Sequence, residues 1–142
     1  MTALAADRTP VVYGSEVIPK LLSIGAKANT LTYKGSLVVN DAGAGAPGYA
    51  ATTLVALGVA VEQVNNVGGL VNAKTIQVES GVFDFANSAA GDAIAATEIG
   101  KNVYIVDDAT VAKTDGTGTR SIAGKVVKVE NGRVFVLVGI GV

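Results

Sequence analysis

The segment VVKVENGRVFV, residues 126–136, holds two alternating apolar runs on either side of an Asn-Gly pair. Alternation with a period of two is typical of half-buried β-strands. The Asn-Gly pair suits the positive φ angles of a two-residue type I′ turn. The segment therefore predicts a β-hairpin with its turn at Asn131-Gly132. The core face of this hairpin is predicted to consist of four valines, Val127, Val129, Val134 and Val136.

The rest of the chain continues this pattern, because runs of Val, Ile, Leu and Ala alternate with turn-forming clusters. Helix is predicted in one short stretch at most, within residues 88–99. Strands are predicted at residues 36–40, 54–64, 74–80, 102–106, 121–130 and 133–138. The predicted fold class is all-β, a short-stranded antiparallel sandwich or barrel, and two duplicated β-lobes remain open as its organisation.

An internal similarity supports the duplicated organisation. VVNDA at residues 38–42 resembles IVDDA about 67 residues later, and LGVAVE at residues 57–62 resembles AGKVVK about 66 residues later. We therefore expect a β domain over residues 31–142, with half-repeats at 31–86 and 100–142.

One loop distinguishes the two predicted halves. In the first half, NNVGGL at residues 65–70 stands where the second half has the tight Asn131-Gly132 turn. Because loops carry contacts more often than the scaffold that supports them, this segment is a candidate contact loop. Its candidate contact residues are Asn65, Asn66 and Val67.

Residues 1–30 show no clear partner strand nearby and are predicted to form an N-terminal arm or extension. An extended arm can add its backbone hydrogen bonds to an exposed sheet edge on a neighbouring subunit. A frayed or locally folded terminus is the alternative. The candidate contact residues of the arm are Pro10, Val11, Val12 and Tyr13.

The composition excludes several function classes. The 142 residues include no histidine and no cysteine, which removes Ser-His-Asp and Cys-His catalysis, disulfides and the common zinc ligand sets. The formal charge of −1 provides no basic surface for phosphates, so we expect no nucleic-acid partner. No apolar run reaches the roughly 18 residues of a membrane helix, and residues 1–10 lack the apolar core of a secretory signal.

Charged residues make up only 16% of the chain and hydrophobic residues 49%, and the mean hydropathy is +0.45. Since a soluble monomer normally carries more charge on its surface, we expect part of the surface to be covered by other subunits. No carboxylate pair stands out by its spacing, and the glycine clusters lack P-loop and calcium-site context. We therefore expect neither catalysis nor a cofactor nor a metal.

The order and spacing of the predicted segments resemble the capsid cement or decoration proteins of tailed bacteriophages. The resemblance covers residues 32–138 and rests on five segments: YKGSLVV (33–39), GVA (58–60), VESGVF (78–83), GKNVYIVDD (100–108) and IAGKVV (122–127). It implies a non-enzymatic structural protein on the capsid surface of a virion, made in the host cytoplasm. The implied partners are the major capsid protein and the protein itself, as a homo-oligomer such as a trimer. The alternative is a virion-surface binding module, for example for glycans, without catalysis.

Overall fold

A computed structural model describes residues 2–11 and 21–142. In this part of the chain the secondary structure is almost entirely β, and helix is confined to two 3₁₀ turns, Ala90–Asp92 and Ala96–Glu98. Both turns lie within the stretch where the sequence predicts a short helical segment. The all-β fold class is therefore confirmed.

The first lobe, residues 21–79, is built around a five-stranded sheet. Its strands are β1 (Leu21–Gly25), β2 (Leu31–Thr32), β3 (Leu37–Asp41), β4 (Ala44–Pro47), β5 (Val55–Ala60), β6 (Val64–Asn65) and β7 (Thr75–Glu79). The sheet order is β1-β7-β5-β3-β4, and β2 pairs with β6 in a separate two-stranded ribbon.

The second lobe, residues 81–138, is a closed barrel. Its strands are β8 (Gly81–Asn87), β9 (Asn102–Asp107), β10 (Thr110–Ala112), β11 (Ile122–Glu130) and β12 (Arg133–Val138). The barrel closes where β10 pairs in parallel with β8, while the other neighbours are antiparallel. Closure leaves no free edge for uncontrolled pairing.

The two lobes repeat one strand order. The order of neighbouring strands across the first sheet is β1-β7-β5-β3-β4. Around the barrel, the order is β8-β12-β11-β9-β10, and each barrel strand stands at the same place in the chain order of the barrel as its counterpart does in that of the sheet. The seam between the first and last strand is parallel in both lobes, since Ala26 bridges Gly45 in one and Ala86 pairs with Thr110 in the other. The internal similarity of the sequence therefore corresponds to a repeat of topology.

Both lobes also place a glycine beside the same register shift. The shift lies next to Gly58 where β3 pairs with β5, and next to Gly124 where β9 pairs with β11. A Cβ atom at either glycine would collide with the carbonyl oxygen of the following strand, that of Glu79 or Leu137. The bulge needs a residue without a side chain at this position, which explains why LGVAVE and AGKVVK align on their glycines.

The other sequence match is displaced by one residue. Asp41 pairs with Ala44 across the β3–β4 turn, and Asp107 pairs with Thr110 across the β9–β10 turn. Asp41 is thus equivalent to Asp107, which is 66 residues later, whereas the match of VVNDA to IVDDA assumed 67. Two adjacent aspartates in the second lobe allowed the wrong one to be aligned.

The Asn131-Gly132 hairpin is observed, with φ of 51° and 75° at the two turn residues. The register of β11 shifts between Val126 and Lys128. Because of this bulge, Val126 is buried while Val127 is only half-buried. The predicted core face is therefore wrong at Val127, since strict alternation cannot account for an extra residue in the strand.

The strand pairing divides the chain differently from the predicted segments. β1 lies within residues 1–30 but pairs along its whole length with β7. All but the last residue of β8 lies within the predicted first half, residues 31–86, but β8 pairs with β12 of the second lobe. The repeated units therefore run over residues 21–79 and 81–138.

One apolar core joins the lobes. Leu37 and Val59 of the first lobe and Phe85 and Val136 of the second belong to the same buried cluster. Polar bonds cross the same boundary: the Leu37 N–H donates to the Asp108 carbonyl at 2.9 Å. The lobes are therefore packed as one body around a shared interior.

Candidate contact surfaces

The contact loop, predicted at residues 65–70, occupies residues 65–73 of the connection from β6 to β7 and is held in place by hydrogen bonds. Asn66 is buried, with 2% of its surface exposed. Its side-chain amide donates to the Lys27 carbonyl at 3.0 Å and to the Leu70 carbonyl at 3.1 Å. The Gly68 N–H donates to the Asn29 side chain at 2.8 Å. The loop is thus an ordered surface feature whose shape depends on Asn66.

The tip of the contact loop is apolar and exposed. The exposed fractions are 62% for Val67, 80% for Leu70 and 52% for Val71. In the second lobe the equivalent connection, from β11 to β12, needs only Asn131-Gly132. The strand order therefore does not require the longer loop, yet the loop carries a cluster of apolar side chains into solvent.

The N-terminal arm was predicted over residues 1–30, and its described part ahead of β1, residues 2–11, lies against its own chain. The Val11 N–H donates to the Asp84 carboxylate at 2.6 Å, and the Arg133 side chain donates to its other oxygen at 2.9 Å. Arg8 reaches the same carboxylate at 3.8 Å and stacks over the Phe85 ring at 5.3 Å. Asp84 is buried in β8 and is the main anchor of the arm.

A second buried carboxylate holds the start of the arm. Asp108 accepts a hydrogen bond from the Leu4 N–H at 2.9 Å and another from the Ser36 hydroxyl at 3.0 Å. Burial raises the pKa of the Asp108 carboxyl above its ordinary value, and these hydrogen bonds oppose the rise only in part. Both bonds stabilise the position of the arm, so Asp108 has a structural explanation.

The apolar groove lies between the lobes, where the starts of β5 and β11 meet the last residues of the chain. Its volume is about 220 Å³. Its lining includes Leu54, Val55, Ile122, Ile140 and Val142. The exposed fractions are 56% for Val55, 44% for Ile122, 49% for Ile140 and 38% for Val142. No charged side chain is among the residues that line the groove.

The structure places the predicted contact residues in different environments. Val67 and Asn65 are exposed on the contact loop, and the Asn65 side chain accepts a hydrogen bond from the Val67 N–H at 3.0 Å, whereas Asn66 is buried beneath the loop. Val11 is exposed by 57%, and it and Pro10 belong to the arm that bonds to its own chain. Two further predicted contact residues, Val12 and Tyr13, lie outside the described residues.

Sequence reasoning missed the apolar groove, and it left Leu70 and Val71 out of the candidate contact residues although the predicted loop reached Leu70. Leu70 and Val71 follow Gly68-Gly69 directly, and an apolar pair inside a turn-rich segment was a usable signal. The groove gave none, because its walls come from residues 54–56, 122–124 and 139–142.

One partly exposed polar cluster bears on the glycan alternative. Lys27 donates to the Asp41 carboxylate at 2.7 Å, and the Tyr49 hydroxyl donates to the same oxygen at 2.7 Å. The hydrogen bond from Lys27, with that from Tyr49, lowers the pKa of the Asp41 carboxyl. Lys27 and Tyr49 therefore each have a hydrogen-bond acceptor within the cluster, and Asp41 has two donors.

Within residues 2–11 and 21–142, no group of three or more potential metal-ligating side chains is found. No helix in that part of the chain has the length and apolar character needed to cross a membrane. Comparison with known proteins finds no matching family, no matching curated sequence and no matching solved structure.

Proposed function

We propose that this protein is a non-enzymatic structural component of a tailed-phage virion, which decorates the head and stabilises it by bridging major capsid subunits. The observation that carries the proposal is the contact loop. It is an addition to a repeated scaffold, and it presents Val67, Leu70 and Val71 to solvent. Exposed apolar clusters on an ordered surface are characteristic of protein contact sites.

The size of this surface suits a weak contact that is repeated many times. Complete burial of a Val or Leu side chain contributes about 1.5 to 3 kcal/mol. The three exposed side chains of the loop retain between 52% and 80% of their surface, so each can contribute roughly 1 to 2 kcal/mol on association. Association costs offset much of this sum. Repetition over a shell then supplies the stability through avidity.

The scaffold suits the proposed role because it fixes the loop before binding. The Asn66 side chain ties the loop to the neighbouring chain at the Lys27 carbonyl and bonds within the loop to the Leu70 carbonyl. A surface that is already ordered loses less conformational entropy when it binds. The partner surfaces in this proposal are the major capsid protein and further copies of this chain.

The test is reconstitution on expanded phage heads that lack the protein. We expect purified wild-type protein to co-sediment with the heads and to raise the temperature at which they release DNA. Leu70→Asp should weaken the affinity for heads at least roughly tenfold, from the lost burial of one leucine, which a binding titration measures.

The matched control is Leu21→Asp. Leu21 is also an exposed leucine, with 58% of its surface accessible, but it lies on β1 outside the contact loop. This control should occupy heads as the wild type does. A wild-type protein that ignores heads would contradict the proposal, and retention of a sugar by that protein would favour the glycan-binding alternative.

A further inference from the structure

The chain carries both a protruding apolar surface and a recessed one. The contact loop exposes Val67, Leu70 and Val71, and the apolar groove exposes Val55 and Ile140. Neither surface is covered by another described part of the chain. We propose that the contact loop of one copy docks into the apolar groove of a second copy. This inference rests on the proposed function, because it specifies how copies of a decorating protein hold one another.

The two surfaces match in size and in polarity. A cavity of about 150 Å³ lined by apolar side chains is large enough to take up benzene. The groove, at about 220 Å³, has room for the branched side chain of Leu70. Residues 66–71 carry no charged side chain, and neither do the lining residues of the groove. Docking therefore buries no charged side chain, whose desolvation would oppose it.

The loop is held away from the groove of its own chain. The Asn66 N–H donates to the Thr30 carbonyl at 2.8 Å, and the Asn29 N–H donates to the Gly69 carbonyl at 3.0 Å. These bonds fix the loop beside residues 26–30 of the first lobe. The groove instead lies at the starts of β5 and β11. Docking into the groove of a second copy therefore leaves the loop's own hydrogen bonds intact.

Such an interface is heterologous, since a different surface is used on each side. A docked pair still presents one free loop, on one copy, and one free groove, on the other. Association then continues until the rotation between copies closes a ring. A loop inserted into a groove also places its leucine near the centre of the interface, where truncation has the largest effect on affinity.

The test mixes two variants, each defective in one surface. Leu70→Asp removes the loop tip and keeps the groove, while Ile140→Asp alters the groove and keeps the loop. Both side chains are exposed in the chain alone, so both variants should fold, which circular dichroism checks. Sedimentation velocity should show wild-type oligomers, two monomeric single variants with association weakened at least roughly tenfold, and a one-to-one dimer in their mixture. Leu21→Asp should retain the wild-type mass.

Three results would overturn the inference: a wild-type protein that is monomeric, single variants that keep the wild-type mass, or folded variants that stay monomeric when mixed. Binding of the wild type to heads is measured separately. If the wild type coats heads while the mixture stays monomeric, loop-in-groove docking is wrong and the proposed function stands. If the mixed dimer forms while wild-type protein ignores heads, docking stands and the proposed function is wrong.

Discussion

Replacing Asp84 with alanine should destabilise the protein more than removal of any exposed carboxylate. The Asp84 side chain is only 10% exposed. It accepts hydrogen bonds from the Val11 N–H and the Arg133 guanidinium, and it forms an ion pair with Arg8. The variant loses all three interactions at once and detaches the arm from β8.

The size of the destabilisation by Asp84→Ala depends on the hydrogen bonds that Arg8 and Arg133 retain in the variant. Removing one member of a buried ion pair costs about 3 to 5 kcal/mol. Arg133 is 38% exposed, so water can replace part of its lost bond. Arg8 keeps two backbone acceptors, the Gly35 carbonyl at 3.0 Å and the carbonyl of residue 84 at 2.7 Å. We therefore expect a loss at the lower end, about 3 kcal/mol, or a Tm lower by about 10 °C.

Thermal unfolding followed by circular dichroism measures this loss. The control is Glu130→Ala, which breaks a solvent-exposed ion pair between Glu130 and Lys128 with an N–O distance of 2.6 Å. The side chains of Lys128 and Glu130 are 37% and 47% exposed. Exposed pairs contribute at most about 1 kcal/mol. An Asp84→Ala variant that melts within about 2 °C of the wild type, on the same scale, would refute the anchoring of the arm by this carboxylate.

Three further changes test other features. Asn131-Gly132→Val-Val should cost about 2 to 4 kcal/mol, because both turn residues have positive φ, and unchanged thermal stability would contradict the turn. Gly124→Ala should cost about 2 to 3 kcal/mol through collision with β12, while Gly91→Ala, in open space, should change stability by less than about 0.5 kcal/mol; equal effects would exclude the bulge. Burial raises the pKa of Asp108, so its stabilising contribution is present below about pH 3.9 and is lost as pH rises through the raised pKa. Wild-type guanidinium midpoints should therefore fall relative to Asp108→Asn from pH 3.5 to pH 7, and a constant difference would contradict this.

The sequence predicted those parts of the fold that depend on neighbouring residues. The Asn131-Gly132 turn could be predicted because its φ angles restrict the residue types. The repeat was detectable because each lobe needs a glycine at its bulge, Gly58 or Gly124. Both features restrict the residue type at particular positions, so a short stretch of sequence is enough to predict them.

Features that depend on distant pairing escaped prediction. Strand β1 is five residues long, and its partner β7 lies about 50 residues away, so nothing near it indicated a strand. Strand β10 has only three residues and closes the barrel by pairing with β8 and β9. A pattern of two or three residues is too short to show a period.

The candidate contact surfaces divide in the same way. The contact loop was predictable because the six residues 65–70 stand where the second lobe has a two-residue turn. The sequence could not show that Asn66 is buried and its neighbour Val67 is exposed. The burial of Asn66 depends on the segment around Lys27, which is distant in sequence. The groove exists only after three separate segments come together.

The repeated strand order also makes the second lobe a place for engineering. The connection between β5 and β7 tolerates a long excursion, whereas its counterpart at Asn131-Gly132 is closed by two residues. A peptide inserted at Asn131-Gly132 would occupy the position at which the first lobe already carries the longer connection between β5 and β7. Insertions succeed best at exposed turns of this kind, so the scaffold offers a display position on the barrel, separate from the natural loop.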